Sequence, residues 1–277
     1  MTHYHNSNLI DFPDCWEEVL PVEYRYILKL WDALRTSPRL SLLDVKRDIC
    51  RFILRNRGVR GRGGLQFYLL VNELCSTLDW MWHREEETGV ITLTVNTTRN
   101  LLSEWRELVG PADHGADLTF GEFRNAVTVM NLYTESNEID KLDLLVGMLY
   151  RPMVKKQRER FSSGRFALYR ARVEKMPFRL KWGVYAWFSY FCQYLMTDTF
   201  IISGHEVSFS RLFGKGSDSD AESLGLSSIL FSVSESGVFG NADQVDDTQL
   251  MKVLMKLLDD AMKAENLEKE LKKRKQS

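Results

Sequence analysis

Two short segments place a histidine beside carboxylates. His114 lies between Asp113 and Asp117 in the segment GPADHGAD, and His205 directly precedes Glu206. A histidine next to a carboxylate can transfer protons or bind a metal ion. Neither segment completes a known arrangement, because the second histidine of an HExxH motif is missing after Glu206 and a GxSxG motif does not occur. Polar loop residues are usually solvated, so a site at His114 is the weaker alternative. We predict a protein that is not an enzyme, with no catalytic residue, cofactor or metal.

The cysteines and the apolar segments indicate the compartment. The four cysteines are far apart and form no CxxC pair, so we expect no zinc site. The N-terminal segment has neither the basic nor the apolar part of a signal peptide, and we therefore expect reduced thiols and a cytoplasmic protein. The apolar segment Trp182–Met196 is shorter than the roughly 20 residues that a membrane-spanning helix needs. We predict a buried helix there and no membrane association.

Two basic segments are candidates for contact with nucleic acid. The first, RNRGVRGRGG, is a flexible connector, and the second, Lys155–Arg172, mixes cations with aromatic residues. Mobile cations contact phosphates without fixed geometry. The net charge of −1 argues against a general nucleic-acid binder, and such segments are more often solvated loops or helix faces. Nucleic-acid binding is therefore kept as the alternative function. Its predicted contact residues are Arg55, Arg57, Arg60 and Arg62.

The apolar spacing predicts a mainly α, multi-helical protein. In the first part of the chain it predicts helices at Cys15–Leu34, Leu42–Leu54 and Leu65–Glu86, and a short helix at Leu101–Val109. The segment Val90–Asn96 is rich in β-branched residues and is the one predicted strand. We expect it to be a minor β element with little to pair with.

The segment Asp117–Pro152 carries the clearest helix signals. Thr119 and Glu122 fit a capping box, in which a hydroxyl and a carboxylate three residues apart bind free backbone N–H groups at a helix start. Two apolar stripes follow, separated by a short polar link, and Pro152 stops the second. The pattern predicts two antiparallel helices.

A last helix is predicted to begin after Asp247 or Thr248, and a shorter one through Ile229 and Val233 precedes it. The first half of the last helix is amphipathic, whereas its charged end is expected to fray or reach into solvent. The apolar face is either ordinary core or a surface that binds a partner protein, and we give both alternatives equal weight. Its residues are Leu250, Val253, Leu254, Leu257 and Leu258.

These patterns divide the chain into three helical regions. The first covers residues 1–110, the second covers 111–213 with the segments TFGEF and LYRP, and the third covers 221–277 with its charged tail. A stretch of glycine, serine and aspartate, residues 214–220, separates the second region from the third.

The central segment resembles assembly proteins of tailed bacteriophages, particularly of phages or prophages of Bacteroidetes. The shared pattern is a TFGEF helix start, an acidic spacer and a helix that ends in LYRP, here Thr119–Phe123 and Leu149–Pro152. The segment Gly237–Leu258 is similar to the C-terminal part of the same kind of protein. These segments record helix capping and packing, and they contain no reacting group.

The resemblance implies a tail assembly chaperone or a minor tail component. Such a protein is not an enzyme and acts by protein–protein binding, with other tail proteins such as the tape measure protein as partners. It implies a location in the host cell cytoplasm or in the virion. The N-terminal third of the chain lies outside the resemblance.

Overall fold

The computed structural model describes residues 2–5, 8–59, 64–202, 205–210, 212 and 238–276. In this part the protein is mainly α-helical with short antiparallel strands, which confirms the predicted fold class. The α-helices are α1 (Pro21–Thr36), α2 (Leu42–Asn56), α3 (Leu65–Thr77), α4 (Phe120–Ser136), α5 (Ile139–Leu149), α6 (Phe166–Val173), α7 (Phe178–Thr197), α8 (Ala242–Asp246) and α9 (Leu250–Gln276).

The strands form hairpins and one small sheet. Their bounds are β1 (Thr2–His5), β2 (Asn8–Asp11), β3 (Trp82–Arg84), β4 (Ile91–Leu93), β5 (Glu104–Trp105), β6 (Leu108–Val109), β7 (Arg151–Val154), β8 (Gln157–Arg158), β9 (Thr199–Ile202) and β10 (His205–Ser208). Strands β5 to β8 make one antiparallel sheet in chain order, and the other strands pair as β1 with β2, β3 with β4 and β9 with β10.

The chain forms two compact units, and each unit is discontinuous in sequence. Unit 1 contains residues 1–102 and 176–187, and unit 2 contains residues 103–175 and 188–277. These bounds differ from the three regions drawn from the sequence, because residues 176–187 group with the start of the chain. Helix α7 therefore contributes its first half to unit 1 and its second half to unit 2.

Unit 1 is built on helices α1 to α3 and an aromatic core. Helix α1 starts at a proline, whose fixed φ suits the first position of a helix, and Ser41 caps α2 by accepting the backbone N–H of Asp44 at 3.2 Å. The buried Trp16 packs edge-on against Tyr24, with ring centroids 5.4 Å apart. The unit thus buries its core through large aromatic rings.

Unit 2 contains the predicted pair of helices. Helices α4 and α5 are joined by a short link in which Asn137 adopts the left-handed conformation, φ 55°, that commonly ends a helix. Phe123 of α4 lies against Phe188 and Phe191, with ring centroids 6.1 and 6.3 Å away. The sequence prediction of two consecutive helices in Asp117–Pro152 is confirmed.

Two helix predictions are wrong at positions where strands form instead. The third helix ends at Thr77 and not at Glu86, because residues 82–84 pair with the predicted strand, of which Ile91–Leu93 is formed. The segment predicted as a short helix at Leu101–Val109 forms the β5–β6 hairpin. Both errors have one cause: the partner strand supplies the hydrogen bonds, and local spacing does not reveal a partner.

The apolar segment Trp182–Met196 lies within α7, where Trp187, Phe188 and Phe191 are buried. Its interpretation as a buried helix is thus confirmed. Within the described residues, no helix combines the length and the apolar content that crossing a membrane requires. The helix predicted through Ile229 and Val233 lies outside the described residues.

Candidate functional site: the pocket at Glu122

Glu122 lies in the first turn of α4 and is completely buried. Its backbone N–H donates to the hydroxyl of Thr119 at 3.2 Å, so the capping half of the predicted box is confirmed. The carboxylate, however, binds two arginines. It accepts hydrogen bonds from Nη1 of Arg151 at 2.9 Å and from Nη2 of Arg158 at 3.1 Å. Glu122 therefore joins the helix start to distant parts of the chain.

The two arginines stand at the ends of one β-hairpin. Arg151 is the first residue of β7 and Arg158 is the last of β8, and their side chains are only 2% and 4% exposed. Arg158 also binds the carboxylate of Asp117 at 2.9 Å. Buried charges are tolerated when they are paired and hydrogen-bonded, and this cluster meets both conditions. We call Asp117, Glu122, Arg151 and Arg158 the Glu122 network.

Backbone carbonyls complete the network. Arg158 donates to the carbonyl of Leu149 at 2.8 Å, and Arg151 donates to the carbonyls of Met148 and Glu159, the latter at 2.7 Å. The end of α5 leaves carbonyl groups without helical partners, and these arginines bind two of them. The network therefore fixes the start of α4, the end of α5 and the β7–β8 hairpin to one another.

The electrostatics of Arg158 follow from its burial and its neighbours. Burial lowers the pKa of an arginine, but attraction to Glu122 and Asp117 outweighs this effect and raises the pKa of Arg158 above its usual value. Arg158 is thus positively charged in the network at neutral pH.

A pocket of about 490 Å³ opens beside the network. This volume lies in the range of ligand-binding pockets, about 300–1,000 Å³. Apolar side chains form part of its wall, and charged side chains form the rest. Among its lining residues are the apolar Val109, Pro111, Met153 and Phe161, the cationic Arg151, Lys156, Arg158 and Arg160, and the anionic Asp117, Glu122 and Glu159.

Each lining carboxylate already has an arginine partner. Asp117 and Glu122 are bound within the network, and Glu159 is bound by Arg165 and, at 3.3 Å, by Arg172. Arginine donors thus already bind all three carboxylates of the lining. The four cations of the lining make the pocket suited to attracting a negatively charged group.

Within the described residues, the ligand atoms of Asp113, His114 and Asp117 do not lie together as a group that could hold a metal ion. Asp113 and His114 belong to a short turn, Asp113–Gly115, and His114 has a positive φ of 59°. The carboxylate of Asp117 accepts the backbone N–H of Ala112 at 2.7 Å and binds Arg158. The second histidine, His205, pairs through its backbone with Ile202 in the β9–β10 hairpin. Its side chain lies outside the described part of the structure.

The predicted partner-binding face of the last helix belongs to the core of unit 2. Four of its five side chains are less than 10% exposed, and the fifth, Leu257, is half-buried. Apolar stripes of this kind are buried wherever the chain itself covers them, so these residues are not available to a partner in the folded unit. The buried four are Leu250, Val253, Leu254 and Leu258.

The four residues predicted to contact nucleic acid do not share one environment. Arg57 is 8% exposed and binds the buried carboxylate of Glu23 at 3.0 Å and that of Asp11 at 3.0 Å. Its role is thus to neutralise Glu23, whereas Arg55 is exposed. Arg60 and Arg62 lie outside the described residues.

Most of the second basic segment is neutralised in the same way. Arg158, Arg165, Arg170 and Arg172 all have carboxylate partners, and Arg160 lies 3.8 Å from Asp247. The exposed lysines of the β7–β8 turn remain as solvated cations. The segment is therefore mainly a set of internal ion pairs and not a continuous basic patch.

Sequence reasoning missed the role of Glu122, although a signal was present. Glu122 shares one helix face with Ala126, Val129 and Tyr133, all of which are buried. A carboxylate on an apolar stripe needs a buried partner. The pattern therefore predicts that a partner exists, but it does not say which of the chain's arginines it is.

Known proteins give no independent assignment of this site. No family model, curated protein sequence or solved structure matches the chain.

Proposed function

We propose that the protein is a non-enzymatic tail assembly protein of a tailed bacteriophage, a chaperone or a minor tail component that binds other tail proteins. The observation that carries the proposal is the convergence of the three segments that resemble this family. Thr119–Phe123, Leu149–Pro152 and the described part of Gly237–Leu258 meet at the start of α4, although they are far apart in sequence. A shared pattern of this kind is expected when it specifies one structural unit.

The contacts at this point are specific. Glu122 binds Arg151, which links the first segment to the second. Backbone hydrogen bonds of 2.9 Å link this region to the third segment: Phe120 of the first segment donates to the carbonyl of Thr248, and Leu250 donates to the carbonyl of Leu118, which directly precedes the first segment. The resemblance thus corresponds to one packed arrangement of helices and a hairpin.

An ion pair between Arg124, which directly follows the first segment, and Asp246 of the third segment strengthens this link. The pair has a length of 2.8 Å and is partly buried. A Cβ atom at Gly121 would lie 2.7 Å from the side chain of Asp246, so the GE pair of TFGEF needs its glycine for this close approach.

We propose the far part of α9 as the partner-binding surface. From Asp259 to Lys272, the described side chains are exposed, except for the half-buried Ala261. Met262, Leu267 and Leu271 are 49%, 61% and 49% exposed on this helix. Helices commonly bind partners through apolar residues that are three or four positions apart, as Leu267 and Leu271 are. In the proposed role, this helix end binds an apolar segment of a tail protein before the tail is assembled.

Co-expression with the tail proteins of the same genome, the tape measure protein first, tests the proposal. We expect the wild-type protein to co-purify with one of them and to raise its soluble fraction. The variant L267E/L271E should lose this effect, whereas L65E/L69E, which changes two exposed leucines of α3, should keep it. The proposal is rejected if no tail protein co-purifies or if both variants behave alike.

The alternative function is nucleic-acid binding. Arg55 and the lysines of the β7–β8 turn are exposed cations that could contact phosphates. Binding through phosphates weakens as the salt concentration rises. A mobility-shift assay at low salt therefore separates the two functions. Retardation of DNA or RNA that disappears in R55A favours the alternative, and the absence of retardation removes it.

A further inference from the structure

The β7–β8 turn holds two lysines in an unusual backbone conformation. Lys155 and Lys156 form the two-residue turn between Val154 and Gln157, with φ values of 49° and 65°. Turns with two positive φ values normally contain glycine, asparagine or aspartate. For other residues, the left-handed conformation is strained, because Cβ lies too close to the following carbonyl oxygen. Such strain tends to persist at functional sites, and here it places Lys156 in the lining of the Glu122 pocket.

Arg151 has unused donors at the same pocket. A guanidinium has five N–H donors. The hydrogen bonds of Arg151 start from Nε and Nη1, and within the described residues Nη2 donates none. This side chain is 2% exposed and lines the pocket, so a ligand in the pocket can reach its remaining donors. Charged donors of this kind form stronger hydrogen bonds to a carboxylate than neutral donors do.

The surroundings of the pocket have an excess of positive charge. The lining contains four cations and three carboxylates, and two further arginines, Arg165 and Arg172, neutralise Glu159 from outside the lining. Lys156 forms no ion pair within the described part of the chain, and Arg160, which lies 3.8 Å from Asp247, has a side chain that is 89% exposed. The apolar part of the wall offers contact to the non-polar part of a ligand.

We propose that the Glu122 pocket binds an acidic peptide segment, with Lys156, Arg160 and the free donors of Arg151 facing its carboxylates. This inference rests on the proposed function, because it names the chemistry of a second tail-protein segment, an acidic one, besides the apolar segment that would bind the far part of α9. A concave pocket with a partly apolar wall favours a peptide side chain or terminus over a nucleic-acid backbone, which needs an extended groove. Clusters of arginines and lysines recognise acidic motifs in this way.

Fluorescence polarisation with a labelled hexaglutamate peptide tests the inference on the full-length protein. We expect hexaglutamate to bind at low salt at least 10-fold more tightly than hexaglutamine. The variants K156G and R160A should each weaken binding at least 5-fold. K155G is the matched control, since it removes the same charge and changes the same turn outside the pocket lining, and it should weaken binding less than 2-fold.

Loss of folding does not explain such a result, because glycine adopts a φ of 65° without a penalty and K156G should be at least as thermally stable as the wild type. Three outcomes overturn the inference: hexaglutamate binds no better than hexaglutamine, K155G and K156G weaken binding equally, or a 20-nucleotide single-stranded DNA binds through Lys156 more tightly than hexaglutamate does.

The inference and the proposed function fail separately. If a tail protein co-purifies equally well with the wild type and with K156G, the pocket is not its binding site, although the proposed function stands. If hexaglutamate binds through Lys156 but no tail protein co-purifies, the inferred acidic-peptide site is supported, and the proposed binding of tail proteins is rejected.

Discussion

Replacing Glu122 by glutamine should strongly destabilise unit 2. The substitution keeps the shape of the side chain but removes its charge, so Arg151 loses its carboxylate partner while it remains 2% exposed. Arg158 keeps Asp117 as a partner at 2.9 Å. Removing one partner of a buried ion pair costs about 3–5 kcal/mol, because the remaining charge is desolvated and uncompensated.

This loss is large compared with the total free energy of unfolding. Domains typically have a free energy of unfolding of about 5–15 kcal/mol, so E122Q should remove a large part of it. With about 2–4 °C per kcal/mol for a unit of this size, the melting temperature should fall by roughly 6–20 °C. Differential scanning calorimetry and hydrogen exchange in Phe120–Leu149 measure the loss.

An exposed ion pair in the same unit provides the control. Asp140 and Arg170 lie 2.6 Å apart, with side chains 57% and 43% exposed. Exposed pairs contribute about 0–1 kcal/mol, so D140N should lower the melting temperature by less than about 4 °C. If E122Q and D140N have equal effects, the carboxylate of Glu122 does not stabilise the fold in the way described.

A double variant separates the charge from the packing. In E122M/R151M both charges of the Glu122–Arg151 pair are replaced by apolar side chains, and exchanging a buried pair for apolar groups is often neutral or stabilising. We therefore expect the double variant to be less destabilised than the sum of E122M and R151M. Strictly additive losses would show that the two side chains are not coupled.

Three smaller effects follow from local geometry. G147A should destabilise the protein by about 1–3 kcal/mol in urea unfolding, because the added Cβ would lie 2.7 Å from the backbone of α6, whereas G164A has open space and should change little. The pKa of Asp44 should lie below its usual value, since the Ser41 hydroxyl donates to its carboxylate at 2.6 Å. The hydrogen bond between Ser41 and the ionised Asp44 stabilises the start of α2 at any pH above the usual pKa of aspartate, and this stabilisation is lost as the pH falls through the lowered pKa of Asp44. In S41A, NMR titration should show the pKa of Asp44 returning towards its usual value. T119A should cost about 1 kcal/mol in the same urea assay, because the start of α4 loses its cap, and an unchanged midpoint would contradict that assignment.

Much of the helical framework could be predicted from the residues alone. Ser41 and Thr119 cap their helices, a proline begins α1, and the apolar stripes of α4 and α5 face the core as expected. These features depend on contacts within one or two helical turns, so their signal is contained in a short window of sequence.

The candidate site could be predicted only in part. The buried position of Glu122 follows from its place on an apolar stripe, but its pairing with Arg151 and Arg158 joins a helix to a hairpin that begins 29 residues later. The last helix shows the same limit. An apolar stripe at Leu250–Leu258 fits a core and a partner surface equally well, and the chain's own covering of that stripe decides between them.

The sequence by itself determined where α4 starts and where α5 stops, since caps, prolines and apolar periods act over a few residues. Tertiary structure decided which charged side chains form internal ion pairs and which remain available to a ligand. A buried ion pair depends on the desolvation of both partners at one point in space, and segments distant in sequence bring that about. For this reason, Arg57 and Arg158 became internal partners of Glu23 and Glu122, whereas Lys156 was left at the pocket.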